Sequence, residues 1–236
     1  MINFIAKYYR LSLFKISSIF AKSVEKKFIK LPANKLNLII KIRLSHIKFF
    51  LPNKYIYSRK YYIWKGNWFK KKISIRNYKN YNLNYNSVFQ IFTKKINFKK
   101  SDEYKLKLNH IKKFGVTARG HKSINELNLY FKGLSQLHKN MKMNGYKSQK
   151  QLNNNKIGDE IGVFLGPSGE IIKAEDKFRG THRFALSKIL NIKYVYINVR
   201  AVDFNFLKKN VFKNMAITDN EVTMIKKIKL FLKIYQ

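Results

Sequence analysis

Four consecutive residues, Gly180-Thr181-His182-Arg183, place a residue without a side chain, two hydrogen-bonding side chains and a cation directly before an apolar run. In that run Phe184, Ala185, Leu186, Ile189 and Leu190 recur at helical spacing and cover one side of a helix, with Asn191 as its stop. The first N–H groups of a helix have no intrahelical acceptor and carry partial positive charge. A glycine at that point lets an anion approach, and the side chains after it add donors. This is phosphate-binding chemistry, with Gly180, Thr181, His182 and Arg183 as its candidate residues and Arg179 as an auxiliary cation. Glu175 and Asp176 are the nearest acids in sequence, and either can act as a general base or hold a divalent metal beside bound phosphate. A solvated strand end is the competing reading of both acids. His182 is the third acid–base candidate.

Other chemistries find no support. The five histidines, His46, His110, His121, His138 and His182, are scattered rather than grouped at metal-ligand spacing, so no metal residues are expected. The chain lacks cysteine, which removes disulfides, thiolate metal sites and thiol nucleophiles and fits a reducing compartment. There is no Gly-Lys-Ser/Thr phosphate loop, no dinucleotide fingerprint and no Gly-x-Ser-x-Gly elbow; Gly166-Pro-Ser-Gly169 reads as a hairpin turn.

The elements that must position the box follow from local pattern. Ile161 to Leu165 and Glu170 to Ala174 are short apolar runs joined by turn residues, hence a β-hairpin. From Lys193 to Val202, Val195, Ile197, Val199 and Ala201 alternate with polar or aromatic residues at the period of a half-buried strand. Upstream, Ser101 is expected to cap a helix from Asp102 to about Phe114 that Gly115 stops. Ser123 and Glu126 form a capping box before the stripe Leu127, Tyr130, Phe131, Leu134, Leu137 and Met141, which Gly145 closes. The loop from 115 to 122 carries Arg119 and His121, which face either a ligand or solvent. Tyr55 to Tyr85 is irregular or strand-like and crowded with aromatics; core packing and stacking on single-stranded nucleic acid are its two readings. A basic amphipathic helix is expected from about Asn220 to Ile234. Residues 1–50 read as two basic amphipathic helices, the second from Leu36 to Phe50, and such helices suit an anionic membrane surface or nucleic acid as well as their own domain.

Net charge is +38 over 236 residues, which points to nucleic acid or anionic membrane. Lysine makes up 42 of the 50 basic residues, a bias that an AT-rich coding sequence also produces, and the two explanations stand side by side. A lysine surplus favours non-specific attraction over base reading. No stretch is long and apolar enough to span a bilayer, and a cytoplasmic location is expected.

At Gly180-Thr-His-Arg-Phe-Ala-Leu-Ser-Lys-Ile-Leu-Asn-Ile192, followed by Tyr194-Val-Tyr-Ile-Asn-Val199, the sequence resembles the ParB/sulfiredoxin-like superfamily over about residues 159–202. Trp64-Lys-Gly-Asn-Trp68, the two helices and Gly145-Tyr-Lys-Ser-Gln-Lys-Gln-Leu152 extend a looser resemblance to poorly characterised microbial ParB-like proteins, from about Pro52 to Val202. The superfamily includes partitioning nucleotidases, sulfiredoxins, free-serine kinases and nuclease-like proteins that share phosphate binding at the box. The resemblance implies that Gly180 makes room for phosphate, Thr181 and His182 donate to it and Arg183 neutralises it. Thr181 stands where sulfiredoxins have cysteine, which excludes that activity, and Arg179 stands where many ParB-like members have an acid.

The expectation is therefore an α+β chain: a basic helical extension (1–50), a ParB/sulfiredoxin-like domain with a mixed sheet and packed helices (51–204) and a basic helical tail (205–236). Its expected activity is binding of nucleotide phosphates, with phosphoryl transfer or NTP hydrolysis as the reactions such a site serves. ATP or another NTP with Mg2+ is the cofactor this implies. The alternative is a DNA-binding or nuclease-like protein acting through its basic surface, and peripheral contact of residues 1–50 with an anionic membrane is a third possibility.

Overall fold

A computed structural model describes residues 38–56, 62–153, 159–175, 180–215 and 219–236. Seven strands form one mixed sheet: β1 (Leu38–Arg43), β2 (Ile47–Leu51), β3 (Ile63–Trp64), β4 (Ile73–Ser74), β5 (Ile161–Leu165), β6 (Ile171–Ala174) and β7 (Tyr194–Asp203). Their order is β1-β7-β5-β6-β2-β4, with β3 pairing the far end of β7. The expected hairpin is present, β5 antiparallel to β6. The chain then passes through a helix, α5 (Thr181–Ile189), and returns as β7 parallel to β5. The described residues are thus α+β with a mixed sheet.

The expected helix from Leu36 to Phe50 is instead two strands. Leu38, Ile40, Ile42 and Leu44 are buried while Lys41 and Arg43 are exposed, a period of two that the lysine spacing also allowed and that the isoleucines favour. What decides the matter is a distant partner: β1 lies antiparallel along β7 from Leu38↔Val199 to Arg43↔Tyr194. β2 is interior to the sheet, between β6 and β4, so the sheet runs across the boundary expected at residue 50. The first expected basic helix lies outside the described residues.

Helices α1 (Tyr78–Tyr81), α2 (Leu83–Phe92), α3 (Asp102–Phe114), α4 (Ile124–Asn144), α5, α6 (Phe204–Asn210) and α7 (Glu221–Leu232) complete the fold. α3 and α4 span the expected residues, but the Ser101 hydroxyl does not cap α3: it donates to the Phe98 carbonyl, and the first N–H groups of α3 go to Gln90 and Ser87 instead. Gly115 closes α3 with φ +71°, and the Ser123 hydroxyl accepts the Glu126 N–H at 3.2 Å. The Glu126 carboxylate returns to the Lys122 N–H rather than that of Ser123. One face of the sheet buries Ile40, Ile42, Val163, Val195 and Ile197 with Phe184 of α5 and with Met224, Ile228 and Leu232 of α7, so the C-terminal segment shares the main core. A second cluster joins α3, α4 and α5 through Tyr104, Leu127, Phe131 and Leu186. The aromatic segment is largely interior: Tyr62, Trp64, Trp68 and Tyr78 are buried and Tyr81 is exposed. Among the described residues no helix is long and apolar enough to cross a membrane.

Candidate functional site

The box does open a helix, as its sequence requires. Gly180 precedes α5 with φ +78° and its carbonyl accepts the first helical bond from Phe184. The glycine is required by the backbone of β5: a Cβ on Gly180 would lie 2.5 Å from the Glu160 carbonyl oxygen and 2.7 Å from the Ile161 Cα. Its missing side chain is thus used to seat the helix against the sheet.

The next three side chains go to different places. Thr181 is buried, and its hydroxyl has no hydrogen-bond partner among the described residues. Arg183 turns inward: one terminal nitrogen meets Glu160 Oε2 at 2.6 Å, the other donates to the Lys147 carbonyl, and the guanidinium stacks 4.0 Å from the centre of the Tyr146 ring. Glu160 also accepts from the Tyr146 hydroxyl at 2.9 Å and from the Gln149 N–H. With side chains 6 % and 1 % exposed, this ion pair is enclosed, and burial pushes the Tyr146 phenol well above its ordinary range. Arg183 is therefore committed to protein groups rather than presented to a ligand.

His182 faces the helices. Its Nε2 lies 3.0 Å from Glu103 Oε2 on α3 and 3.3 Å from the Tyr130 hydroxyl on α4, and that hydroxyl donates to Glu103 Oε1 at 3.0 Å. Burial alone would raise the Glu103 carboxyl. The facing His182, helped by Lys107 and Tyr130, outweighs it and holds the carboxyl below the usual carboxylate range. A depressed folded-state value makes this a stabilising contribution at neutral pH, lost as pH falls below about 4.3 and through the lower folded-state value. Urea unfolding from pH 7 to pH 3 should show Glu103→Gln less stable than wild type at pH 7, with the gap narrowing below pH 4.5; a gap that does not change with pH contradicts the assignment.

Around this cluster gather cations. Lys107 lies 3.7 Å from Glu103 and 5.3 Å from the Tyr130 ring centre, and the Arg119 guanidinium sits 5.6 Å over the same ring. Arg119 is exposed and makes no ion pair among the described residues. His121 lies with its ring centre 5.0 Å from that of Tyr130, tilted by 50°, and is held below the ordinary histidine value by burial, then by Lys107 and Arg119. Lys107 and Arg119 line a cleft of about 310 Å³ together with His110, Tyr81, Leu83, Leu106 and Glu175. Glu175 is buried at the end of β6, where its carboxylate accepts the Asn53 N–H at 2.7 Å. Asp176 and Arg179 lie outside the described residues.

The structure thus brings Glu175, His182, Arg119 and His121 towards one region and sends Arg183 elsewhere. Glu103 and Glu160 have no sequence signal of their own, and Tyr130 and Tyr146 enter the sequence only as a stripe residue and part of the looser resemblance; Glu103 sits in the first turn of α3, where an acid is ordinarily explained by the helix dipole. Among the described residues no three His, Asp or Glu side chains gather to hold a metal. A phosphate-bound Mg2+ needs one or two carboxylates, and Glu175 is the carboxylate lining the cleft that would hold it. Comparison with family models, with curated proteins and with solved structures finds no match for the chain.

Proposed function

We propose that the chain is a ParB/sulfiredoxin-like domain that binds the phosphates of a nucleotide in the cleft lined by Lys107, Arg119 and Glu175. The observation that carries this reading is the position of Arg119, a cation with no acid partner among the described residues, at the rim of a cleft that also holds Lys107 and Glu175 and adjoins His182 through Tyr130. The order β5, β6, α5, β7 with the glycine box opening α5 supports the fold part of the reading. Tyr81, Leu83 and Leu106 give the cleft an apolar wall against which a base can lie, while Arg119 and Lys107 neutralise phosphate charge.

In this reading His182, which reaches the cleft through Tyr130 and Arg119, is the acid–base group. Glu103 and Tyr130 occupy Nε2, which fixes the ring and leaves Nδ1 as the nitrogen that accepts or returns a proton in phosphoryl transfer or hydrolysis. Glu103 is a positioning residue in this scheme.

Isothermal titration with ATP, ADP, CTP and GTP, with and without magnesium, tests the reading. Binding of at least one nucleotide is expected, and Arg119→Ala should weaken it by about 1.5–3 kcal/mol, the value of a charge-assisted contact. Absence of binding to wild type, or unchanged affinity in Arg119→Ala, sinks the proposal. His182→Gln should retain binding and lose turnover.

A further inference from the structure

Between Lys94 and Lys147 the chain carries thirteen lysines and one arginine against three acids. Each of those acids already has its own partners. Asp102 accepts from the side-chain amides of Asn86 and Gln90 at 2.9 and 2.7 Å, Glu103 holds His182, and Glu126 accepts the Lys122 N–H at 2.7 Å. Of the thirteen lysines only Lys107 comes within ion-pair distance of a carboxylate among the described residues. The positive charge of this helical region is therefore uncompensated from within.

Its most extended surface is the outer face of α4, a helix of 21 residues. The inner stripe, Leu127, Phe131, Leu134 and Met141, is spent on the core. Opposite it Asn125, Leu129, Lys132, Gln136, Lys139 and Met143 recur at helical spacing and are all exposed, with no acid among them. We propose that this face docks double-stranded DNA. The helix is about 31 Å long, close to one duplex turn of about 34 Å. Lysines two turns apart meet phosphates, and the amides of Asn125 and Gln136 suit base edges or phosphate oxygens. A membrane surface fits poorly, because Leu129 and Met143 are isolated and a lipid-docking helix needs a continuous apolar face to bury. The proposal does not depend on the cleft.

The test is the affinity of the full chain for a 20-base-pair duplex as a function of salt. Lys132→Glu/Lys139→Glu should weaken binding more than about tenfold and lower the slope of log affinity against log salt by about two, as expected when two phosphate contacts are lost. Lys226→Glu/Lys229→Glu on α7, which removes equal charge from exposed helix positions, should change both far less. Equal effects of the two pairs would mean diffuse attraction and overturn the assignment to α4. Failure of wild type to bind duplex overturns it, as does equal competition by polyglutamate at matched charge. Loss of anionic-vesicle binding in the α4 pair with duplex binding intact assigns the face to lipid and overturns it too.

Discussion

Arg183→Ala should destabilise the protein by about 3–5 kcal/mol, the cost of breaking a buried ion pair from one side. The substitution removes a guanidinium that meets Glu160 at 2.6 Å, donates to the Lys147 carbonyl and stacks on Tyr146. Glu160 would be left with the Tyr146 hydroxyl and the Gln149 N–H, in a position where its side chain is 1 % exposed. Two hydrogen bonds do not replace a facing charge in a low-dielectric site, so the carboxyl must take up a proton or the surroundings must admit water. Arg183→Lys keeps the charge but loses the fork and the ring stacking, and should fall between wild type and alanine. Arg183→Met with Glu160→Gln removes both charges at similar volume and should recover much of the loss. Chemical denaturation of the four proteins settles the point: an alanine variant within about 1 kcal/mol of wild type is incompatible with this buried pair.

This result bears on function as well as stability. Nucleotide affinity lost on Arg183→Ala is ambiguous between ligand contact and folding, whereas the exposed Arg119 carries no such ambiguity. Both sides of the first turn of α5 are tied to distant elements, Arg183 to the start of β5 and His182 to α3 and α4. A ligand at the cleft would therefore act on a junction between the sheet and the helical layer.

What the sequence revealed divides along the range of the interactions. The end of α3 at Gly115 and the start of α4 at Ser123 follow from residues within one turn and were legible, whereas the first N–H groups of α3 are met by Gln90 and Ser87, 12 and 16 residues upstream. The β5–β6 hairpin and the α5 start are equally local. β1 was not legible, because its helix-like lysine spacing is overridden by six pairings with β7 more than 150 residues away. The fate of Arg183 depends on Glu160, 23 residues upstream, and the setting of His182 on Glu103, 79 residues upstream. Nothing in the box itself distinguishes an arginine that neutralises a ligand from one that neutralises a buried glutamate. Glycine before a helix carries the same ambiguity, since a glycine required by an anion and one required by a neighbouring strand look identical in sequence.

Gly180→Ala resolves that ambiguity, and its expected effect is large. The residue has φ +78°, a conformation that costs an alanine about 1–2 kcal/mol. Its new Cβ would also lie 2.5 Å from the Glu160 carbonyl oxygen and 2.7 Å from the Glu160 carbonyl carbon, backbone atoms that cannot swing away as a side chain would. Displacing them shifts the start of β5 and with it the Arg183–Glu160 pair, so overpacking adds about 1–3 kcal/mol, for a total of about 2–5 kcal/mol. Gly115→Ala is the internal control. It shares the left-handed backbone at φ +71° but meets nothing within 4 Å, and should cost only the conformational part, about 1–2 kcal/mol. The comparison is read from urea midpoints of the two variants and from their nucleotide affinity at temperatures where both are folded. A larger stability loss at Gly180 identifies a packing glycine. Equal stability losses with nucleotide binding abolished at Gly180 alone would instead show that the space above it belongs to the anion, and would refute the role assigned to it against β5.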